Sequence, residues 1–199
     1  MYKYKNRQEN ESEIKEALEK FFTQEDSIAT SVVESDNIKK ITDNNKTQNV
    51  VNEKIKRTKI HGYDIIGIIN IPKIKIEYPI LAVETPNPET TKEPMKFSIV
   101  RYVGGSVNGF GNLSIAGHNN YDGTMFGKTK NLEVGDIVKL TDLKKQTITY
   151  QIYHKFVTNP DDISVLTTSN QEVREVTLIT CTNGNKKRLI LKARETNWC

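Results

Sequence analysis

Thr177-Leu-Ile-Thr-Cys181, followed seven residues later by Arg188 at the head of Leu189-Ile-Leu191, is the stretch on which the reading of this chain turns. An apolar, β-branched run of this kind forms a strand. A cysteine at its end is held rigidly with its sulfur at the rim of a sheet, where a nucleophile can work. Sixty-three residues upstream, Leu113-Ser-Ile-Ala-Gly-His118 ends a second strand-like run in a histidine. The two can meet across a closed sheet as sulfur nucleophile and imidazole acid/base, although spacing by itself does not bring them together.

Around these runs the chain keeps the same character. From Tyr63 onward, short β-branched segments alternate with turn residues, and eight such segments are expected at 64–71, 74–83, 97–102, 112–118, 136–141, 147–157, 173–181 and 188–195. That pattern predicts an all-β barrel or sandwich. Gly104-Gly105, Asn108-Gly109, Asp122-Gly123 and Asn183-Gly184 mark the reversals, because these residue types accept the positive φ of tight turns.

The first sixty residues read differently. Asn10 and Glu13 have the spacing of a capping box, and Ile14, Ala17, Leu18 and Phe21 recur at helical intervals, so an amphipathic helix is expected over 11–22. Its apolar stripe needs a partner, and packing within the same chain is the simplest one. Residues 34–57 are polar with isolated Ile and Val, as in a linker or weak helix. The boundary therefore falls near His61, giving an N-terminal helix and linker over 1–60 and a β-barrel domain over 61–199.

Composition narrows the class. A chain of 199 residues holds one domain with a proper core and an appendage. Apolar residues make up 36% and the mean hydropathy is −0.58, a deficit concentrated in the first sixty residues. The net charge of +4 is spread as lysine-rich patches with no arginine-rich helix or aromatic-interleaved basic stripe, so no nucleic-acid partner is implied. Two cysteines, one of them the terminal Cys199, make no disulfide framework. There is no zinc set, phosphate loop or nucleotide motif, and Glu84, Glu89 and Glu93 lack the spacing of a calcium loop; no cofactor and no metal are expected. The run Ile65-Ile-Gly-Ile-Ile69 is far too short to span a bilayer and reads as a strand.

TLITC, the upstream AGHNN and the arginine of KKRLILKARE together resemble the sortase family, Gram-positive surface transpeptidases built on an eight-stranded β-barrel. The similarity runs from about Tyr63 to Glu195 with the motifs in the family's order. It implies that Cys181 is the nucleophile, His118 the acid/base and Arg188 the partner of substrate and oxyanion. It also implies an LPxTG-like sorting signal as substrate and an amino nucleophile from a cell-wall precursor or pilin as acceptor. Sortases are usually held at the extracellular membrane face by a hydrophobic terminal anchor, so a chain without one is expected to be a trimmed ectodomain.

The individual residues bear their own chemistry. A thiolate is the reactive form of Cys181, and a neighbouring imidazolium and guanidinium favour it. Ala116-Gly117 before His118 permits close backbone approach, and Asn119-Asn120 after it form a polar turn; His61 and His154 have no motif behind them. Arg188 offers a planar fork of donors that lysine does not, although the KKR cluster is also what a charged strand edge looks like. The resemblance places Thr180 and Asn119 at the substrate. Ile163, Val165 and Leu166, in the loop before the cysteine strand, supply apolar contact to an extended peptide. Asp122-Gly-Thr-Met-Phe126 is similar to the stretch after the histidine in class B sortases, whereas the segment 158–172 is shorter than that class's helix-bearing insertion. Two other functions use the same features: a plain cysteine hydrolase with the same three residues, and a non-catalytic peptide- or glycan-binding barrel, whose mark would be loss of Cys181 or His118.

Overall fold

The computed structural model describes residues 2–23, 57–166 and 172–196, and the side chains from residue 7 onward. Cys199 and nearly all of the expected 34–57 linker lie outside the described residues. One helix, α1 (Tyr2–Thr23), precedes strands β1 (Lys59–Ile60), β2 (Tyr63–Ile71), β3 (Ile76–Leu81), β4 (Ile99–Val103), β5 (Gly111–Ala116), β6 (Ile137–Asp142), β7 (Thr147–Thr158), β8 (Arg174–Thr182) and β9 (Lys187–Glu195). The strands run in the order β1-β2-β3-β4-β5-β8-β9-β7-β6, and pairing of β2 with β6 closes β2 to β9 into an eight-stranded barrel. Closure leaves no barrel strand with an open edge.

The eight expected runs become those eight strands, with shifted ends. The second run starts late because Pro72, which lacks an N–H, opens a 3₁₀ turn over Pro72–Ile74 that ends at Lys75 in the left-handed region. The third is delayed by a similar turn, Pro94–Lys96. All four predicted reversals contain a residue at positive φ: Gly104, Asn108, Gly123, and both Asn183 and Gly184. The barrel interior is filled by one side chain after another from facing strands. Ile80, Val100, Ile115, Leu140, Tyr150, Leu178 and Leu191 are all essentially inaccessible.

Two pairings are parallel, β3 with β4 and β5 with β8. A parallel pair cannot be joined by a tight turn. β5 and β8 are accordingly separated by β6 and β7, which complete the far side of the barrel. β8 is buried on both faces, as the continuous run Val176-Thr-Leu178 requires.

Helix α1 differs from expectation at its start. Asn10 lies inside the helix and does not cap it; its Nδ2 donates to the Phe97 carbonyl at 2.9 Å, so the Asn10/Glu13 pattern is a tertiary contact. Ile14, Ala17 and Phe21 are buried in the same core cluster as the barrel residues, with Leu18 partly buried against it. Polar contacts surround that stripe: the Tyr78 hydroxyl donates to Glu11, His61 pairs with Glu13, Arg7 pairs with Asp122, and Lys145 stands over the Phe21 ring. Truncating a buried Phe to Ala typically costs about 3–5 kcal/mol. Phe21→Ala is therefore expected to weaken the fold on that scale in urea unfolding, while Phe22→Ala, half-exposed, costs much less. Equal losses for the two variants would mean that the stripe does not dock as described.

Candidate active site

The two ladders that flank β8 position the site. In the antiparallel β8–β9 pair, Cys181 lies directly opposite Arg188. Directly opposed residues project to the same face of a sheet, so a single short turn, with Asn183, Gly184 and Asn185 all at positive φ, brings thiol and guanidinium together. In the parallel β5–β8 pair, Ala116 is the partner of Ile179. His118 lies two residues beyond one and Cys181 two residues beyond the other. The chain separation of 63 residues is thus the register of the ladder itself, and it sets the histidine beside the cysteine at one rim of the barrel.

The rim is tightly built. Gly117 N–H donates to the Ile179 carbonyl at 3.2 Å, and the buried Thr180 Oγ1 donates back to the Gly117 carbonyl at 2.7 Å. A Cβ on Gly117 would sit 3.0 Å from the Phe126 ring and 3.2 Å from Ile99, which explains the small residue ahead of His118. The loop after His118 folds back on itself. Phe126 N–H donates to the His118 carbonyl, and at Gly127 a Cβ would fall 2.1 Å from the Asn120 carbonyl oxygen. Burial raises the pKa of Asp122 in this loop, but hydrogen bonds from Thr124 and the Arg7 guanidinium outweigh it and leave the carboxyl below its ordinary value.

His118, Cys181 and Arg188 line one groove of about 290 Å³. Its floor is apolar, with Tyr102, Ala116, Ile179 and Ile190, and the 3₁₀ turn Ile163–Leu166 forms one wall. Val165 is buried in that wall whereas Ile163 is 75% exposed at its lip. Asn112 Nδ2 fixes the turn to β5 by donating to the Leu166 carbonyl at 2.9 Å. Asp162, also at the groove, accepts hydrogen bonds from Ser164 and Thr158, which hold its carboxyl below the ordinary value. The other wall comes from the β3–β4 loop, including Thr91, Lys92 and Met95. These residues carry no sequence signal, because only the closed barrel brings that loop over the cysteine. In the same loop Glu89 and Glu93 pair with Lys92 and Lys96, so they do not converge as a carboxylate cluster.

His118 is open to the groove, yet the protein packed around it lowers its pKa by desolvation. Arg188 Nη1 donates to the carbonyls of Asn185 and Lys187 at 3.1 and 3.2 Å, which holds the guanidinium at the turn. Thr180, Ile163, Val165 and Leu166 all line the groove. Asn119 does not. Its Nδ2 donates to the Cys181 carbonyl at 2.8 Å. His61, stacked on Phe97, and His154, tilted against Phe156, are also outside the groove.

The family model described as Sortase domain matches residues 69–196, a span that holds the entire groove rim. The chain belongs to the sortase family. Sortase A of Bacillus anthracis is 28% identical over 130 residues, covering 64% of this chain and 58% of that protein, so this sortase spans little more than half the length of that relative. YwpE of Bacillus subtilis (strain 168) is 34% identical over 87 residues, covering 42% of this chain and 82% of its own. Among solved structures, a Clostridium perfringens Sortase D5 transpeptidase superposes with a TM-score of 0.64 at 28% identity, covering 94% of this sortase and 98% of that chain. Sortase C1 of Streptococcus agalactiae, in complex with MTSET, gives a TM-score of 0.58 at 23% identity over 68% of this sortase and 71% of its own chain, a likeness of fold. Among the described residues no helix is long and apolar enough to cross a membrane.

Proposed function

We propose that this sortase is a cysteine transpeptidase acting at the Gram-positive cell surface on an LPxTG-like sorting signal, with the reacting groups all in 61–199 and α1 adding stability but no chemistry. The Cys181 thiolate attacks the carbonyl carbon of the Thr–Gly-type amide, forming a C–S bond and a tetrahedral oxyanion that Arg188 stabilises. Collapse of that adduct breaks the C–N bond, and the His118 imidazolium gives its proton to the departing amine. An amino group from a cell-wall precursor or pilin subunit then attacks the thioester. His118, now neutral, accepts its proton, and the new amide leaves with the thiolate regenerated. The energy of the cleaved amide is kept in the thioester, so no nucleotide is needed. The observation that supports this reading is the meeting of the two ladders at one rim, which gathers His118, Cys181 and Arg188 around a groove suited to an extended peptide. Thr180, Ile163, Val165 and Leu166 contact that peptide.

Peptide-library cleavage followed by mass spectrometry, with and without added amine, tests the proposal. Amide-exchanged product in the presence of amine is the expected outcome. Cleavage that yields only the free acid at every amine concentration would make the protein a cysteine hydrolase, and no cleavage of any peptide would leave a binding barrel.

The protonation requirement adds a prediction. Imidazolium and thiolate must coexist, which gives a bell-shaped profile of kcat/KM against pH. Burial lowers the His118 pKa, so the limb set by His118 moves to more acidic pH than an ordinary histidine would give. His61→Ala and His154→Ala are expected to keep that limb and His118→Ala to lose it. A His118→Ala enzyme of near-normal rate would remove the residue from the mechanism.

A further inference from the structure

The β5–β8 ladder ends in an unusual way. Gly117 N–H donates to the Ile179 carbonyl, and in a continued parallel ladder the next rung would take the Asn119 N–H to the Cys181 carbonyl. The backbone has left the strand by then: Asn119 forms an isolated antiparallel bridge with Met125, and Phe126 N–H takes the His118 carbonyl. The rung is nonetheless filled, because the Asn119 side-chain Nδ2 donates to the Cys181 carbonyl at 2.8 Å.

We infer that Asn119 is a positioning residue for the proposed reaction, its amide replacing the missing ladder bond so that His118 stays in register with Cys181 where the backbone turns away. The inference rests on the catalytic roles proposed above for those two residues. His118 is then pinned on both sides along the chain, by the Gly117 rung before it and the Asn119 amide after it, and by Phe126 through its own carbonyl. A backbone continuing as a strand would give the same rung through its own N–H. The side chain holds the register and lets the loop turn back onto α1, where Asp122 meets Arg7. An acceptor in place of the amide donor would oppose the Cys181 carbonyl oxygen, so shape alone does not meet the requirement.

Asn119→Asp keeps the shape and replaces the donor with a carboxylate; Asn119→Ala removes both; Asn119→Gln keeps an amide on a longer stem. Steady-state kinetics on the full chain are expected to show about a tenfold loss of kcat for Asp and Ala, with KM within about twofold, and partial recovery for Gln; a tenfold change corresponds to the loss of one ordinary hydrogen bond. A second measurement needs no peptide. The rate of Cys181 alkylation by iodoacetamide, followed against pH, is expected to carry an inflection that His118→Ala removes, and Asn119→Asp should remove it too while the thermal midpoint falls by no more than a few degrees, the cost of one hydrogen bond. A raised KM at normal kcat would make Asn119 a peptide contact and overturn the inference. So would an Asn119→Asp enzyme with unaltered kinetics and an unaltered alkylation profile. If no peptide is turned over, the proposed function fails and the alkylation profile alone decides the role of Asn119.

Discussion

Cys181→Ala is expected to abolish turnover, a loss on the order of 10⁴-fold or more, as when the nucleophile is removed from a hydrolytic triad. The fold is expected to survive it. Cys181 is only half-buried at the end of β8, the strand is held by rungs to β5 and β9 through backbone groups, and truncation to a methyl group removes a single sulfur from an open rim. Incubation with substrate peptide and intact mass spectrometry should show the acyl-enzyme adduct on the parent chain and none on the variant, with equal thermal midpoints. Cys199→Ala is expected to form the adduct normally. Adduct formation that follows Cys199 would reassign the nucleophile, and a large fall in thermal midpoint for Cys181→Ala would recast the thiol as a packing group.

Arg188→Lys carries the second-largest expected effect. Lys186 and Lys187 adjoin Arg188, so positive charge at this strand edge is not scarce. The particular property lost is a rigid fork of donors opposite the thiol, one arm of which already holds the turn carbonyls of Asn185 and Lys187. An ammonium on a flexible stem offers a point charge in its place. Removing one preorganised oxyanion donor costs roughly 10²–10³ in kcat, and Arg188→Lys is expected to lose about 10²-fold or more in kcat/KM with stability retained. Lys186→Ala and Lys187→Ala should stay within a few-fold. Steady-state kinetics on the three variants decide the matter: an Arg188→Lys enzyme close to the parent would reduce the guanidinium to a generic charge.

The strands were legible because β-branched residues and turn residues alternate on a local scale. Val173 to Cys181 reads as a strand in isolation, and Asn183-Gly184 reads as a reversal for the same reason. The motif residues were legible through their resemblance to a known family, which also supplied the barrel. What no local pattern carries is the register between β5 and β8, since the contact of Ala116 with Ile179 depends on everything that closes the barrel between them. The groove wall of Thr91, Lys92 and Met95 was hidden for that reason, and so was the bond from Asn119 to Cys181. The helix shows the opposite failure. Asn10 and Glu13 have the spacing of a local signal, but both side chains are used at a distance, on Phe97 and on His61. A capping pattern and a docking pattern are the same letters until the partner surface is known.

The parallel rung between Ala116 and Ile179 also governs how this architecture tolerates change. Because histidine and cysteine are aligned by lateral hydrogen bonds, their alignment does not depend on the amount of chain that joins them. The connection between β7 and β8, which walls the groove at Ile163–Leu166, is expected to tolerate a change of length without resetting His118 against Cys181, provided that Val165 stays buried and Asn112 keeps the Leu166 carbonyl. A single residue inserted within β5 or β8 has the reverse effect: it moves one member of the pair by a whole step and turns its side chain to the other face of the sheet. In the proposed reaction, peptide contact and bond-making chemistry fall in this way on separately variable parts of one barrel. A library built on the exposed positions of 159–166, keeping the buried Val165 and the Leu166 carbonyl held by Asn112, is expected to alter peptide preference while keeping the alignment of His118 and Cys181.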